Sequence, residues 1–214
     1  MLSYQSDLVL VTGVARSGTT LIAECLNHHP DIACFPDPLN ELFRGFHHFA
    51  YYQAHGYWPD PLYPMDHFFF SGSQEVRRFL EETDFKHPIP QSLRTRILQR
   101  IAERGGRYCP ALREKSQGFQ SIRFDSLLLE ALDFLRDMTP SKRSSSIICL
   151  KDAWSEHLIP ALGRTFPKMK FVLVVRDPRA IVSSNYHSNS PYPILFNVRD
   201  WRKSIYWMWR LSEE

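Results

Sequence analysis

A run of eight residues near the amino terminus has the composition and spacing of a site for a phosphate-like anion. The run is Gly13-Val14-Ala15-Arg16-Ser17-Gly18-Thr19-Thr20, with four residues between its two glycines. Glycine lets the backbone curl so that successive N–H groups point inward, and the start of a following helix adds positive potential. Thr19 and Thr20 add hydroxyl donors at that point. The run therefore predicts an anion site between a strand and a helix.

One position separates this run from the nucleoside-triphosphate sites that share its spacing. Those sites need a lysine to reach the β- and γ-phosphates, and here Thr19 stands in its place, while the basic residue lies inside the loop as Arg16. This difference argues against a P-loop kinase or NTPase, which is nevertheless the nearest alternative. A non-catalytic nucleotide-binding protein is the second alternative.

The same run resembles the 5′-phosphosulfate-binding loop of the sulfotransferases that use 3′-phosphoadenosine-5′-phosphosulfate (PAPS). The shared element is a basic residue followed by Ser-Gly-Thr-Thr. The resemblance implies that a sulfonate group moves from PAPS to a hydroxyl group and that the reaction needs no metal ion. It also implies which residues bind the 5′-phosphosulfate: Arg16, Ser17, Gly18, Thr19 and Thr20.

A second segment of the chain matches the same family. The apolar run 171–175 is followed by Arg176 and, eight residues after it, by Ser184. In the family an arginine and a serine at these positions bind the 3′-phosphate, and a guanidinium gives phosphate directional, charge-assisted hydrogen bonds. The alternative is a surface ion pair between Arg176 and Asp177 at a helix start. The order of the two segments along the chain favours the phosphate site.

The resemblance covers residues 8–41 and 147–210 and is closest to tyrosylprotein sulfotransferases and their bacterial relatives. Further matching segments are His29-Pro30-Asp31-Ile32, Ile148-Cys149-Leu150-Lys151-Asp152 and Phe166-Pro167. Residues 45–140 show no such likeness. The class of the acceptor therefore stays open among carbohydrates, phenols, tyrosine and small metabolites, and so does the oligomeric state.

The resemblance also implies which residues carry the chemistry. Sulfonate transfer to a hydroxyl requires removal of the acceptor proton, and the family places a carboxylate for this after the first helix. Spacing from the phosphate loop assigns this role to Asp37, with Glu41 in reserve, although the family more often has glutamate there. Lys151 matches a lysine that stabilises charge on the transferring group. The alternatives are a turn residue between two prolines for Asp37 and a surface pair with Asp152 for Lys151.

Three short apolar runs must position these residues. Residues 8–11, 147–150 and 171–175 have the β-branched character of buried parallel strands, and each is followed by a loop and a helical pattern. They predict an α/β fold with a P-loop-type, mostly parallel sheet flanked by helices, as in sulfotransferases. We expect the three strands to be adjacent or nearly so, with their carboxyl ends at one cleft. The helix that follows the run 147–150 is expected to begin near His157, with Pro160 in its first turn.

An aromatic-rich stretch spans residues 43–70 and has two interpretations. Its side chains either line an acceptor pocket or pack in the core and at its rim. The histidines of the chain form no HExxH or comparable set, so we expect no metal site. The aromatic side chains concerned are Phe46, Phe49, Tyr51, Tyr52, Tyr57 and Trp58.

The bulk composition bounds the function. The 214 residues are 43% hydrophobic, which suits one domain over residues 1–214. A formal charge of +3 is too small to indicate a nucleic-acid binder.

The four cysteines are scattered, which predicts neither a disulfide framework nor a zinc site and favours a reducing compartment, the cytoplasm. No apolar run is long enough to span a membrane. Residues 200–214 read as a helix without an exit signal, so we expect the natural protein to continue beyond them.

Overall fold

Four strands form one all-parallel sheet at the centre of the molecule. They are β1 (Asp7–Gly13), β2 (Ile32–Pro36), β3 (Ile147–Lys151) and β4 (Lys170–Val174), and their order in the sheet is β2-β3-β1-β4. The computed structural model describes residues 7–59, 73–142, 144–188 and 193–212. The three predicted strands are confirmed, and they are direct neighbours in the sheet. β2 was not predicted.

Helices fill the connections between these strands, as a parallel sheet requires. The described α-helices are α1 (Thr19–Asn27), α2 (Asn40–His55), α3 (Ser73–Glu82), α4 (Gln91–Arg104), α5 (Leu112–Lys115), α6 (Phe124–Asp137), α7 (Ile159–Thr165), α8 (Pro178–His187) and α9 (Ile194–Ser212). The expected α/β fold with a parallel sheet flanked by helices is therefore confirmed. No helix of the described part of the chain is long and apolar enough to cross a membrane.

Two of these helices refine the sequence-based prediction. A short 3₁₀ turn at Glu156–Leu158 leads into α7, so Pro160 lies in the first turn as expected. There its missing N–H costs no helical hydrogen bond. The helix predicted over residues 200–214 begins earlier, at Ile194, and residues 213–214 lie outside the described part of the chain.

The register of the sheet brings the ends of all four strands to one edge. β1 pairs with β3 from Asp7↔Ile147 to Val11↔Lys151, and β4 ends opposite Gly13. Pro36 at the end of β2 faces Lys151. Since the carboxyl ends of parallel strands share an edge, the loops that follow them form one cleft, which is where ligands of open α/β sheets bind.

The larger hydrophobic core lies between one face of the sheet and the helices α2, α4 and α6. The rings of Phe46 and Phe85 have centroids 4.1 Å apart, and Phe124 meets Phe46 edge-on at 4.9 Å. A smaller cluster under α1 contains Cys34 and Cys149, which are register partners with their Sγ atoms 3.0 Å apart. All four cysteines are free thiols.

The aromatic-rich stretch packs mainly into this core rather than around the cleft. Phe46, Phe49 and Tyr51 are buried, and Tyr52 stacks on Trp58 with ring centroids 4.5 Å apart. Tyr51 donates a hydrogen bond to Tyr57. These last contacts lie at the carboxyl end of α2, roughly 18 Å along the helix from its start beside the cleft, at 1.5 Å per residue. Residues 60–70 of the stretch lie outside the described part of the chain.

Candidate active site

The loop after β1 turns sharply at the edge of the sheet. Gly13 has φ 146°, and a Cβ there would lie 2.3 Å from the carbonyl oxygen of Val174 on the neighbouring strand, so only glycine fits. Gly18 has φ 108° and directly precedes α1. Between them, Arg16 has φ 68° although it is not a glycine. The loop therefore brings the start of α1 to the cleft, while the N–H of Ser17 donates within the loop to the carbonyl oxygen of Val14 at 3.1 Å.

The hydroxyl groups of this loop fit an anion. Ser17 is 8% exposed, and its Oγ is buried with no hydrogen-bond partner in the described structure. A buried hydroxyl without a partner costs free energy that an anion oxygen would recover. Thr19 is also buried at the first position of α1, while Thr20 is exposed. These side chains suit the phosphate-like group predicted from the sequence.

The structure brings the two predicted phosphate segments into contact. Nε of Arg16 donates a hydrogen bond to Oγ of Ser184 at 3.1 Å. Nη1 of Arg176 donates to the carbonyl oxygen of Arg16 at 3.0 Å. Both arginine side chains are exposed at the cleft. One anionic ligand could therefore reach both segments at once.

The alternative pairing of Arg176 with its neighbour in sequence does not describe the structure. Asp177 caps α8 by accepting from the N–H of Arg179 at 2.8 Å, and the Arg179 guanidinium pairs with its carboxylate at 2.6 Å. These hydrogen bonds lower the pKa of Asp177 to about 2. Asp177 is thus engaged by Arg179, while Arg176 turns to the phosphate loop.

The predicted base and the predicted lysine are in direct contact. Nζ of Lys151 lies 2.5 Å from Oδ2 of Asp37, and the N–H of Asp37 donates to the carbonyl oxygen of Lys151 at 2.8 Å. The Lys151 side chain is 6% exposed and that of Asp37 is 23% exposed. Asp37 has φ 58°, in the left-handed region that aspartate tolerates better than most residues other than glycine. This backbone turn aims the carboxylate at the end of β3.

Glu41, the reserve candidate, is directed elsewhere. It lies in the first turn of α2 and is 8% exposed. Its Oε1 atom pairs with Arg104 at 2.8 Å and with Arg44 at 3.6 Å, so its carboxylate faces α4. The structure therefore joins Asp37 to Lys151 and places Glu41 in a separate ion-pair cluster.

The sequence indicated Asp152 only as a surface partner of Lys151, but the structure places it as a buried carboxyl group. Asp152 is 1% exposed; it accepts hydrogen bonds from Asn40 Nδ2 at 3.0 Å and from Ser155 Oγ. The N–H of Ser155 in turn donates to Thr12 Oγ1 of β1 at 3.1 Å. Burial raises the pKa of Asp152 to about 7 against the lowering effect of the Ser155 hydroxyl. Its position directly after a buried strand was the available signal.

Tyr108 is a second residue that the sequence did not single out. The pKa of its hydroxyl is raised, first by burial and then by the nearby carboxylates of Asp37 and Asp152. The charges of Arg107 and Arg104 act in the opposite direction. The phenol therefore lies within electrostatic range of the candidate base. No pattern in residues 45–140 indicated this, because the position of Tyr108 depends on the path of the chain after α4.

Helix α9 contacts the loop that follows β3. Trp154 has φ 71°, and its N–H donates to the carbonyl oxygen of Gly13 at 3.1 Å. Nζ of Lys203 donates to the Trp154 carbonyl oxygen at 3.2 Å. Arg16, Asp37 and Trp154 are the non-glycine residues with positive φ among the described residues, and each follows the end of a strand. Such positions cluster at functional sites.

No cluster suited to a metal ion occurs among the residues that the structure describes. No group of three or more histidine, cysteine, aspartate or glutamate side chains converges there. His47 and His157 have ring centroids 4.7 Å apart, and both are buried; burial holds the pKa of His157 well below its usual range.

Comparison with known proteins adds one independent result. The sequence matches the model of the sulfotransferase family over residues 9–210, which is nearly the whole chain and includes residues 45–140. A comparison with curated proteins gives no significant match.

Proposed function

Because the chain belongs to the sulfotransferase family, we propose that it transfers the sulfonate group of PAPS to a hydroxyl group of an acceptor molecule. The observation that carries this proposal is the contact of Arg16 with Ser184 and of Arg176 with the backbone of Arg16. This contact joins the two segments that would bind the two phosphates of one nucleotide. The free thiols support a reducing compartment, so we place the enzyme in the cytoplasm.

The donor would be held at both of its phosphate ends. The loop from Gly13 to Gly18 and the start of α1 would hold the 5′-phosphosulfate, and the orphaned Ser17 hydroxyl supports this assignment. Arg176 and Ser184 would hold the 3′-phosphate through charge-assisted hydrogen bonds. When bound, PAPS supplies an activated sulfonate whose bond to the phosphate oxygen breaks during transfer.

The residues at the strand ends would perform the proton transfer. Asp37 would take the proton of the acceptor hydroxyl while the oxygen of that hydroxyl bonds to sulfur. The Asp37 carboxylate would thereby become a neutral carboxyl group. Lys151, 2.5 Å from Asp37, would stabilise negative charge on the sulfonate and on the leaving phosphate. The left-handed turn at Asp37 supports this role, since it holds the carboxylate at the cleft before any acceptor binds.

A kinase or NTPase is disfavoured by the buried Thr19 in the lysine position. Calorimetric titration distinguishes a sulfotransferase from a kinase or NTPase. The protein is titrated separately with adenosine 3′,5′-bisphosphate, adenosine 5′-monophosphate and ATP·Mg. We expect the bisphosphate to bind at least tenfold more tightly than the monophosphate, because a second phosphate adds charged hydrogen bonds. Equal affinity for the two nucleotides would overturn the 3′-phosphate site, and preference for ATP·Mg would favour the kinase.

A further inference from the structure

Helices α2 and α4 carry an excess of arginine beside the candidate base. Together they contain five arginines and two glutamates, a formal excess of three positive charges. Arg96, Arg100 and Arg104 recur every four residues along α4 and therefore lie on one side of it. Arg44 of α2 faces them across the helix pair, since it shares Glu41 with Arg104. We refer to Arg44, Arg96, Arg100 and Arg104 as the arginine face.

The two helices enclose a small polar cavity at this face. Gly45 permits their close approach, because a Cβ there would lie 2.4 Å from the side chain of Ile97. The cavity has a volume of about 40 Å³ and is lined by Glu41, Arg44, His48, Arg96 and Arg100, among others. That volume exceeds what one water molecule needs. It can accept a group of a few atoms.

Two glutamates and one histidine contact the arginine face in the part of the chain that the structure describes. Glu41 pairs with Arg104 and Arg44, and Glu103 pairs with Arg100 at 3.2 Å. Arg96 contacts His48 through Nη2 and Nδ1 at 3.2 Å. The pKa of Arg96 is lowered, mainly because its side chain is partly buried. The charge of Glu41 acts to raise this pKa, and the charge of Arg100 acts to lower it. Like charges four residues apart on a helix repel each other, so an added anion would stabilise this face.

The carboxyl end of the arginine face lies near the candidate base Asp37. The carboxyl end of α4 lies against the segment after β2, because a Cβ on Gly105 would come 2.4 Å from the carbonyl oxygen of Pro38. Pro38 directly follows Asp37. Tyr108 lies near both regions, since the charge of Asp37 raises the pKa of its hydroxyl and the charge of Arg104 lowers it. Arg100 lies roughly 6 Å farther along α4 than Arg104, at 1.5 Å per residue.

We propose that the arginine face binds a carboxylate of the acceptor, so that the acceptor is a hydroxylated acid. This inference rests on the proposed function, because it needs the acceptor hydroxyl to meet Asp37. The guanidinium fork matches the geometry of a carboxylate and binds it through two hydrogen bonds. The acid could be a sugar acid or a hydroxyaryl acid, since both carry the same group beside a hydroxyl.

The test measures acceptor binding in the presence of saturating adenosine 3′,5′-bisphosphate. The probes are 4-hydroxyphenylacetate against 4-hydroxyphenylacetamide, and methyl glucuronoside against methyl glucoside. In at least one pair we expect the carboxylate to bind about tenfold or more tightly than its neutral partner, the scale of a hydrogen bond to a charged group. The pair that shows the preference identifies the kind of acid. No preference in either pair overturns the inference.

Two substitutions locate the effect. Arg96→Gln and Arg100→Gln should each reduce the preference for the carboxylate at least threefold, and together they should abolish it. The matched control is Arg78→Gln on α3, which removes the same charge from a side chain that is 79% exposed and pairs with Glu82. A preference that survives the double substitution overturns the site. Failure of the wild-type protein to bind the bisphosphate overturns the proposed function, whereas bisphosphate binding without carboxylate preference overturns this inference alone.

Discussion

The ammonium group of Lys151 and the carboxylate of Asp37 lie 2.5 Å apart at the ends of neighbouring strands. The strands pair in parallel, and Pro36 and Lys151 are opposite each other in the register. Asp37 then reverses direction through a left-handed backbone conformation and returns its side chain toward β3. The sheet thus supplies one group of each charge to the same point of the cleft.

Asp37→Asn should lower turnover roughly 10²–10⁴-fold, because the amide keeps the shape of the side chain but cannot take a proton. Affinity for adenosine 3′,5′-bisphosphate should stay within about twofold. The measurements are steady-state kinetics with an identified acceptor and calorimetry with the bisphosphate.

Glu41→Gln is the matched comparison, because Glu41 is paired with Arg104 away from Lys151. If Glu41→Gln abolished turnover while Asp37→Asn retained it, Glu41 would be the base. If neither substitution affected turnover, the proton would leave by another route.

Arg176→Ala should weaken bisphosphate binding by roughly 1.5–3 kcal/mol, the scale of a hydrogen bond to a charged group. Binding of adenosine 5′-monophosphate should change much less, since it lacks the 3′-phosphate. Arg179→Ala is the control, because Arg179 is exposed and pairs with Asp177. Equal losses for both nucleotides would assign Arg176 to the 5′ end instead.

Gly13→Ala should destabilise the protein and abolish nucleotide binding. The added methyl group would meet the carbonyl oxygen of Val174 at 2.3 Å, and φ 146° is unfavourable for alanine. We expect a loss of about 2 kcal/mol or more in the free energy of unfolding, measured with urea. Gly118→Ala serves as the control, because nothing lies within 4 Å of a Cβ there. Comparable losses at both positions would show that the loop at Gly13 is not tightly constrained.

Asp152→Asn should alter the pH dependence of stability. In the folded protein burial raises the pKa of Asp152 to about 7, against an ordinary value of 3.8. Between these values the unfolded chain loses its proton while the folded one keeps it, so wild-type stability falls as pH rises from 4 to 7. Above pH 7 both states are ionised and the loss is complete. The asparagine variant lacks this contribution.

The check is urea unfolding of the wild type and the variant at several pH values. The stability difference should shift in favour of Asp152→Asn as pH rises from 4 to 7, by an amount on the order of a few kcal/mol. Asp133→Asn on α6, which removes a partly buried ion pair with Arg136, is the control. Parallel curves for the wild type and Asp152→Asn would contradict the raised pKa.

The sequence was sufficient to predict three strands, because the runs at 8–11, 147–150 and 171–175 are short, apolar and rich in β-branched residues. β2 escaped prediction because Ile32–Pro36 is short, contains one β-branched residue and ends in proline. Its strand character comes from pairing with β3, a contact that no local pattern contains.

The phosphate loop was predictable because its glycines and hydroxyls are contiguous, and contact between the two phosphate segments follows from strand order. The burial of Asp152 and the position of Tyr108 could not be predicted, because their surroundings come from distant segments of the chain. Asp152 is hydrogen-bonded to Asn40 and to Ser155, which is hydrogen-bonded to Thr12. Tyr108 lies within the electrostatic influence of Asp37. The spacing of the arginines on α4 is visible in the sequence. The approach of α4 to α2 and Pro38 is not.

The pairing of β2 with β3 also sets when the site can form. Asp37 and Lys151 are separated by 114 positions, and helices α2 to α6 lie between them. Closing so long a loop delays folding, because its entropy is lost before the contact forms. During synthesis at about 5–20 residues per second, β2 would wait roughly 6–23 s for its partner strand to emerge. The phosphate loop must wait at least as long, because Gly13 pairs with Val174 of β4 and Arg16 contacts Ser184 of α8. Both parts of the site are therefore assembled only after the helices α2 to α6 have been made.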